Sequence, residues 1–148
     1  MREPIVSQVE DQLAQFVVFI LDQERFALPV EQARGIERWR NPTRIPGTAT
    51  AIMGIINQRG VLLTVVDMRV VLGMKPITPT RRSRFLLVHE QIDCAIAVDQ
   101  VIDMLTLDVG LAEPTPHRGT VASRGLLPTP FGFATWLDLN ALLGSING

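Results

Sequence analysis

Strands with no polar face are the strongest constraint in this sequence. Phe16 to Leu21 (FVVFIL) has no polar member, and Val61 to Val66 (VLLTVV) has only Thr64. Strands that are apolar on both faces need cover on both. Ten prolines and eleven glycines interrupt the 148 residues too often for long helices to supply that cover, and no window keeps helical periodicity beyond about two turns. Two small barrels packed on each other meet the demand. One face of each strand fills its own barrel and the other meets the partner barrel.

The remaining punctuation predicts eight or so short strands and an all-β class. Phe16 to Leu21 turns through Asp22-Gln23-Glu24-Arg25 into Phe26 to Val30, and Ile36 to Trp39 is a weaker strand before Asn41-Pro42. Ile52 to Ile56 and Val61 to Val66 read as a hairpin. Its connection is Asn57-Gln58-Arg59-Gly60, a four-residue loop with one left-handed position at the glycine. Arg84 to Val88 pairs with Cys94 to Val98, followed by Val101 to Leu107. Glu113 to Pro130 reads as an irregular connection, and Phe131 to Leu137 as the last strand. Short helices are expected at Met68 to Leu72 and at Leu139 to Leu143, the second near the C-terminus. No sequence repeat is visible between the halves. Residues 1–15 read as a short leader before a single domain over 16–148.

Net charge is −1, but its distribution is uneven. Eleven basic and five acidic residues lie between Ala14 and Arg84, whereas six acidic and no basic residues lie between Phe85 and Glu113. Such a chain is not dominated by attraction to a polyanion. Arg34, Arg38, Arg40 and Arg44 around Trp39, and Arg81-Arg82-Ser83-Arg84, would suit single-stranded nucleic acid if the tryptophan were free to stack. The alternative reading is a solvated arginine-rich edge. No apolar run is long enough to span a membrane, and the N-terminus lacks a signal-peptide layout. A cytoplasmic protein without membrane insertion is expected.

Catalytic and metal motifs are absent. There is no phosphate-cradling glycine loop and no H-E-x-x-H. His89 and His117 are isolated, Cys94 sits among apolar neighbours, and Asp99, Asp103 and Asp108 read as solvated edge or turn residues. No nucleophile, base and oxyanion site assembles, so neither an enzyme nor a cofactor is expected. Arg59 is the exception to this bland surface. A guanidinium at a hairpin tip between apolar strands is free to present a fork of donors to a carboxylate.

Gly54-Ile55-Ile56-Asn57-Gln58-Arg59-Gly60-Val61 followed by Val65-Val66-Asp67-Met68-Arg69 resembles the signature of the CheW family, adaptor proteins of bacterial chemosensory arrays. Phe16 to Val30 is similar to the family's opening hairpin, Thr43-Arg44-Ile45-Pro46 to the loop before the signature, Ala97-Val98-Asp99-Gln100-Val101 to its V-D-x-V segment, and Leu137-Asp138-Leu139 to Leu143 to its closing L-D-x-x-x-L-L. The resemblance implies two packed five-stranded β-barrels and no catalysis. It also implies a bridge between the tip of methyl-accepting chemotaxis receptors and the regulatory domain of a CheA-type histidine kinase, with no nucleic acid bound.

On the receptor side it implicates Arg59, with Asn57 and Gly60 shaping the turn, and the counterpart of the family's V-x-E-I segment, Ala33, Arg34, Gly35 and Ile36. Gly35 stands where the family has glutamate and Ala33 where it has valine, while Thr64 and Met68 replace a proline and a leucine. These departures suggest a divergent array, one controlling pili or gliding. The start methionine and the closing helix favour a free-standing adaptor over the regulatory domain of a larger kinase. A nucleic-acid-binding small barrel is the remaining alternative.

Overall fold

The structure is a computed structural model and describes residues 12–89, 93–115 and 122–146. Its strands are β1 (Leu13–Leu21), β2 (Glu24–Pro29), β3 (Ala33–Arg38), β4 (Ile52–Gln58), β5 (Val61–Asp67), β6 (Arg84–His89), β7 (Asp93–Val98), β8 (Gln100–Asp108), β9 (Ser123–Leu127) and β10 (Ala134–Leu137). Two short helices, α1 (Met68–Val71) and α2 (Leu139–Gly144), follow β5 and β10, and a 3-10 turn (Val109–Leu111) follows β8. The strands form two five-stranded sheets. A central sheet from the middle of the chain has the order β3-β6-β7-β5-β4, and a terminal sheet drawing on both ends has the order β8-β1-β2-β10-β9. The all-β class holds. The expected barrels are realised as curled sheets whose two edges are joined by a single bridge each, Thr43 to Ile55 and Glu113 to Leu126.

Three apolar clusters cover the strands without a polar face, except at Val61 and Leu62, which open β5 and are exposed against expectation. Val17, Phe19 and Leu21 of β1 and Cys94, Ile96 and Val98 of β7 enter one cluster shared by both sheets and both helices. The alternate residues go elsewhere: Phe16 and Val18 pack with Ala27, Leu107, Leu127 and Ala134 inside the terminal sheet. Ala95 and Ala97 pack with Ile56, Leu63, Val65 and Phe85 inside the central sheet. Each side of such a strand thus faces a different core.

Both sheets follow one plan. Gly54 pairs with Val65, two residues before Asp67, and Gly125 pairs with Trp136, two residues before Asp138. Each of these aspartates caps a helix, with its side chain accepting from backbone N–H groups of the first turn. The residues after the glycines, Ile55 and Leu126, receive the closing bridges. Each plan includes one parallel pair, β5 with β7 and β10 with β2. Chain order separates them, since the hairpin β6–β7 follows α1 directly, whereas the terminal sheet takes its equivalent hairpin, β1–β2, from the start of the chain. No sequence repeat records this.

Several expectations need correction. β9 lies inside the stretch expected to be irregular. Its residues, Ser-Arg-Gly-Leu-Leu, have little strand propensity, and the pairing with β10 and Glu113 holds them extended. The last strand is shorter than expected, because Thr129 and Gly132 exchange backbone bonds in a turn that includes Phe131. β1 starts at Leu13, where it pairs with Asp108. His117 lies outside the described residues.

Candidate functional site

The β4–β5 connection is tighter than its sequence suggests. Gln58 pairs with Val61, so the turn is two residues, Arg59 and Gly60. Both are left-handed, with φ of 52° and 86°, as a type I′ hairpin requires. The expectation of one left-handed position in a four-residue loop is thereby corrected. Asn57 Oδ1 accepts a hydrogen bond from the Gly60 N–H at 2.8 Å, which fixes the turn from within. Arg59 is exposed, and no hydrogen bond or ion pair involves its guanidinium among the described residues.

Side chains tie this hairpin to β3 across the gap between the sheet's two edges. Arg40 Nη2 donates to the Asn57 carbonyl at 2.8 Å and to Gln58 Oε1 at 2.6 Å. Gln58 Nε2 in turn donates to Glu37 Oε1 at 2.9 Å. Beside this relay lies an open groove of about 310 Å³ lined by Arg40, Asn41, Thr43, Ile55, Ile56, Asn57 and Leu62. Leu62 in its lining is 65% exposed, and Val61, its chain neighbour, 56%. A rigid turn, a free guanidinium and exposed apolar side chains make a surface suited to a protein carrying a carboxylate next to an apolar residue.

The expected site residues are only partly gathered here. Asn57, Arg59 and Gly60 form the hairpin tip. Ile36 is exposed on β3, next to the Glu37 that reaches Gln58. Ala33 is buried in the shared core and offers nothing to a partner directly. Gly35 faces Leu87 across β3–β6, and a Cβ there would lie 3.1 Å from Leu87 Cδ1. A glutamate at 35 therefore requires Leu87 to yield. Glu37 follows the position where the family has its glutamate, and its carboxylate is engaged by Gln58. Gln58 was missed in the sequence, where it stands at a variable position of the signature, and Arg40 read as a solvated arginine.

The rest of the signature is structural. Asp67 is buried and its carboxylate accepts from Arg69 N and Val70 N of α1 and from Ile77 N at 2.9 Å. Arg69 grips Asp99, and that hydrogen bond raises the Arg69 pKa above its usual value. Asp99 is thus no solvated turn residue. Trp39 stacks on Phe85 at 4.7 Å and its Nε1 donates to Asn41, so its ring is already packed. Among the described residues, no group of three His, Cys, Asp or Glu side chains could hold a metal ion, and no helix is long and apolar enough to cross a membrane.

Comparison with known proteins agrees with this geometry. A family model described as "CheW-like domain" matches residues 15–147. "Chemotaxis protein CheW" of Bacillus subtilis (strain 168) is 32% identical over 102 residues, 68% of this chain and 65% of that protein. "Probable chemotaxis protein CheW" of Rhizobium etli is 28% identical over 133 residues, 86% of both chains. The crystal structure of the scaffolding protein TtCheW from Thermoanaerobacter tengcongensis superposes with a TM-score of 0.78 at 26% identity, covering 87% of this chain and 91% of that one. With the family match spanning both sheets and the signature hairpin in place, this chain belongs to the CheW-like domain family.

Proposed function

We propose that this protein is a non-catalytic coupling adaptor of a bacterial chemosensory array. It joins the tip of a methyl-accepting chemotaxis receptor to the regulatory domain of a CheA-type histidine kinase, and reaches the membrane-bound array through those partners. The observation that carries this reading is the Arg59 turn. A non-glycine residue is held left-handed at the end of a hairpin, its guanidinium is spent on nothing among the described residues, and its base is stitched by Asn57, Gln58 and Arg40. Backbone strain of this kind at an exposed position fits a binding role better than a folding one. Relatives named as chemotaxis proteins and a structural neighbour named as a scaffold support the same reading.

On this reading, Arg59 and Ile36 contact the receptor, while Asn57 and Gly60 set the turn. Ala33 and Gly35 act through the packing of β3. The receptor segment would present a carboxylate to Arg59 and apolar side chains to Ile36, Val61 and Leu62. The test is calorimetric titration of the protein with a receptor-tip fragment and, separately, with a kinase regulatory domain. Arg59→Ala should weaken receptor binding at least tenfold and leave kinase binding within twofold. Equal loss of both partners, or binding to neither by the parent protein, would overturn the proposal.

A further inference from the structure

The two arginine clusters, far apart in sequence, meet at one strand pair. Arg38 at the end of β3 lies directly opposite Arg84 at the start of β6. Like charges directly opposed across an antiparallel pair are destabilising. Arg84 is held in place there, its Nη1 donating to the carbonyls of Arg81 at 2.9 Å and Ser83 at 2.8 Å. Arg81 and Arg82 are exposed in the Thr80–Ser83 turn, which is closed by the Ser83 N–H on the Thr80 carbonyl and by the Thr80 N–H on Ser83 Oγ.

No carboxylate offsets these cations among the described residues, where the only ion pairs are Arg69 with Asp99 and His89 with Asp93. The single acidic residue of β3, Glu37, is engaged by Gln58 instead. A fold that opposes two arginines, anchors one of them and places two more on the adjoining turn keeps an uncompensated positive surface.

We propose that this face docks an acidic segment of a partner protein. Guanidinium forks pair with carboxylates in bidentate fashion, and several forks on a rigid strand pair and turn match a run of Asp or Glu side chains. Single-stranded nucleic acid fits less well, since it binds by stacking on aromatic rings as well as by charge. The one tryptophan near the cluster, Trp39, is stacked on Phe85. The Arg59 turn ends the other edge strand of the same sheet, and because Glu37, Gln58 and Arg40 draw the two edges together, the cluster adjoins that turn.

The probe is a fluorescein-labelled decaglutamate peptide, titrated by anisotropy in low salt and at 150 mM salt alongside a labelled oligothymidylate of equal charge. We expect saturable decaglutamate binding that weakens at least tenfold in Arg38→Glu and in the double variant Arg81→Glu/Arg82→Glu. It should stay within twofold in Arg124→Glu, which removes a cation from the terminal sheet. Arg38→Glu also places opposite charges across β3–β6, so its melting temperature should equal or exceed that of the parent, separating lost binding from lost folding. Unchanged decaglutamate affinity in Arg38→Glu would overturn the proposal. So would tighter binding of oligothymidylate, or a concentration-dependent dimer in ultracentrifugation that Arg38→Glu dissolves, since the face would then serve nucleic acid or a second copy.

Discussion

Arg69 straddles the carboxylate of Asp99, with Nε 2.9 Å from Oδ1 and Nη2 2.5 Å from Oδ2. The second oxygen also accepts the Asp22 N–H at 2.7 Å. Arg69 belongs to the helix after β5, Asp99 to the crossing from β7 to β8, and Asp22 to the β1–β2 turn. One carboxylate therefore clasps the central sheet to the terminal one. Both side chains are about 20% exposed, where a bidentate pair contributes more than an open surface pair.

We expect Arg69→Ala and Asp99→Ala each to lower stability by about 1–3 kcal/mol, and the double variant to lose less than the sum. Because the folded state raises the pKa of Arg69, the guanidinium's share of this contribution is complete at neutral pH and is lost only as pH rises through the arginine range. Mutant cycles in urea, rather than titration near neutrality, are the measurement. Strict additivity would show that the pair does not couple the sheets.

The glycines at the two closing bridges should not be equally replaceable. A Cβ on Gly54 would lie 2.2 Å from the Thr43 carbonyl oxygen, and its φ is +144°. On Gly125 it would lie 2.9 Å from the Glu113 oxygen. Gly47, also at positive φ, has open space around it. Gly54→Ala should therefore cost about 3 kcal/mol or more, Gly125→Ala less, and Gly47→Ala about 1 kcal/mol. Thermal melts of the three variants check the ranking, and a Gly54→Ala protein as stable as Gly47→Ala would refute the closure.

The hairpin tip should separate folding from binding. Arg59→Gly removes the strain of a left-handed arginine while loosening the unfolded chain, so stability should stay within about 1 kcal/mol of the parent. Gly60→Val places a β-branched residue at φ 86° and should cost about 2 kcal/mol or more. Asn57→Ala removes the acceptor of the Gly60 N–H and should cost about 1 kcal/mol. Denaturant midpoints decide each case. A Gly60→Val protein melting with the parent would reject the turn geometry.

Burial pushes the Cys94 thiol up to about 11 from its usual value near 9. The folded protein thus keeps a proton that the unfolded chain releases, and stability from this group is complete below pH 9 and falls as pH rises toward 11. The loss amounts to about 2–3 kcal/mol at 1.36 kcal/mol per unit. Cys94→Ala lacks this dependence, so the gap between parent and variant should narrow from pH 8 to pH 11 in urea unfolding. A constant gap would place the thiol in contact with water.

Local patterns were legible where short-range chemistry decides. Runs such as FVVFIL announce strands buried on both faces, the short apolar stretches Met68 to Leu72 and Leu139 to Leu143 announce helices, and the connection Asn57 to Gly60 announces a turn. The signature also placed Arg59, Asn57 and Gly60 together, because they are neighbours in the chain. By contrast, β9 was invisible, since Ser-Arg-Gly-Leu-Leu becomes a strand only when β10 and Glu113 supply its hydrogen bonds.

The composition and order of the apolar runs by themselves determined an all-β chain with doubly covered strands, because burial and turn propensities act over a few residues. Only the tertiary structure decided which residues share a surface. It set Gln58 against Glu37 and Arg40, sent Ala33 into the core, gave Asp99 to Arg69, opposed Arg38 to Arg84, and built the terminal sheet from both ends of the chain. These are pairings between positions far apart in sequence. They are fixed by strand register and by closure of the two curled sheets, which no local pattern encodes.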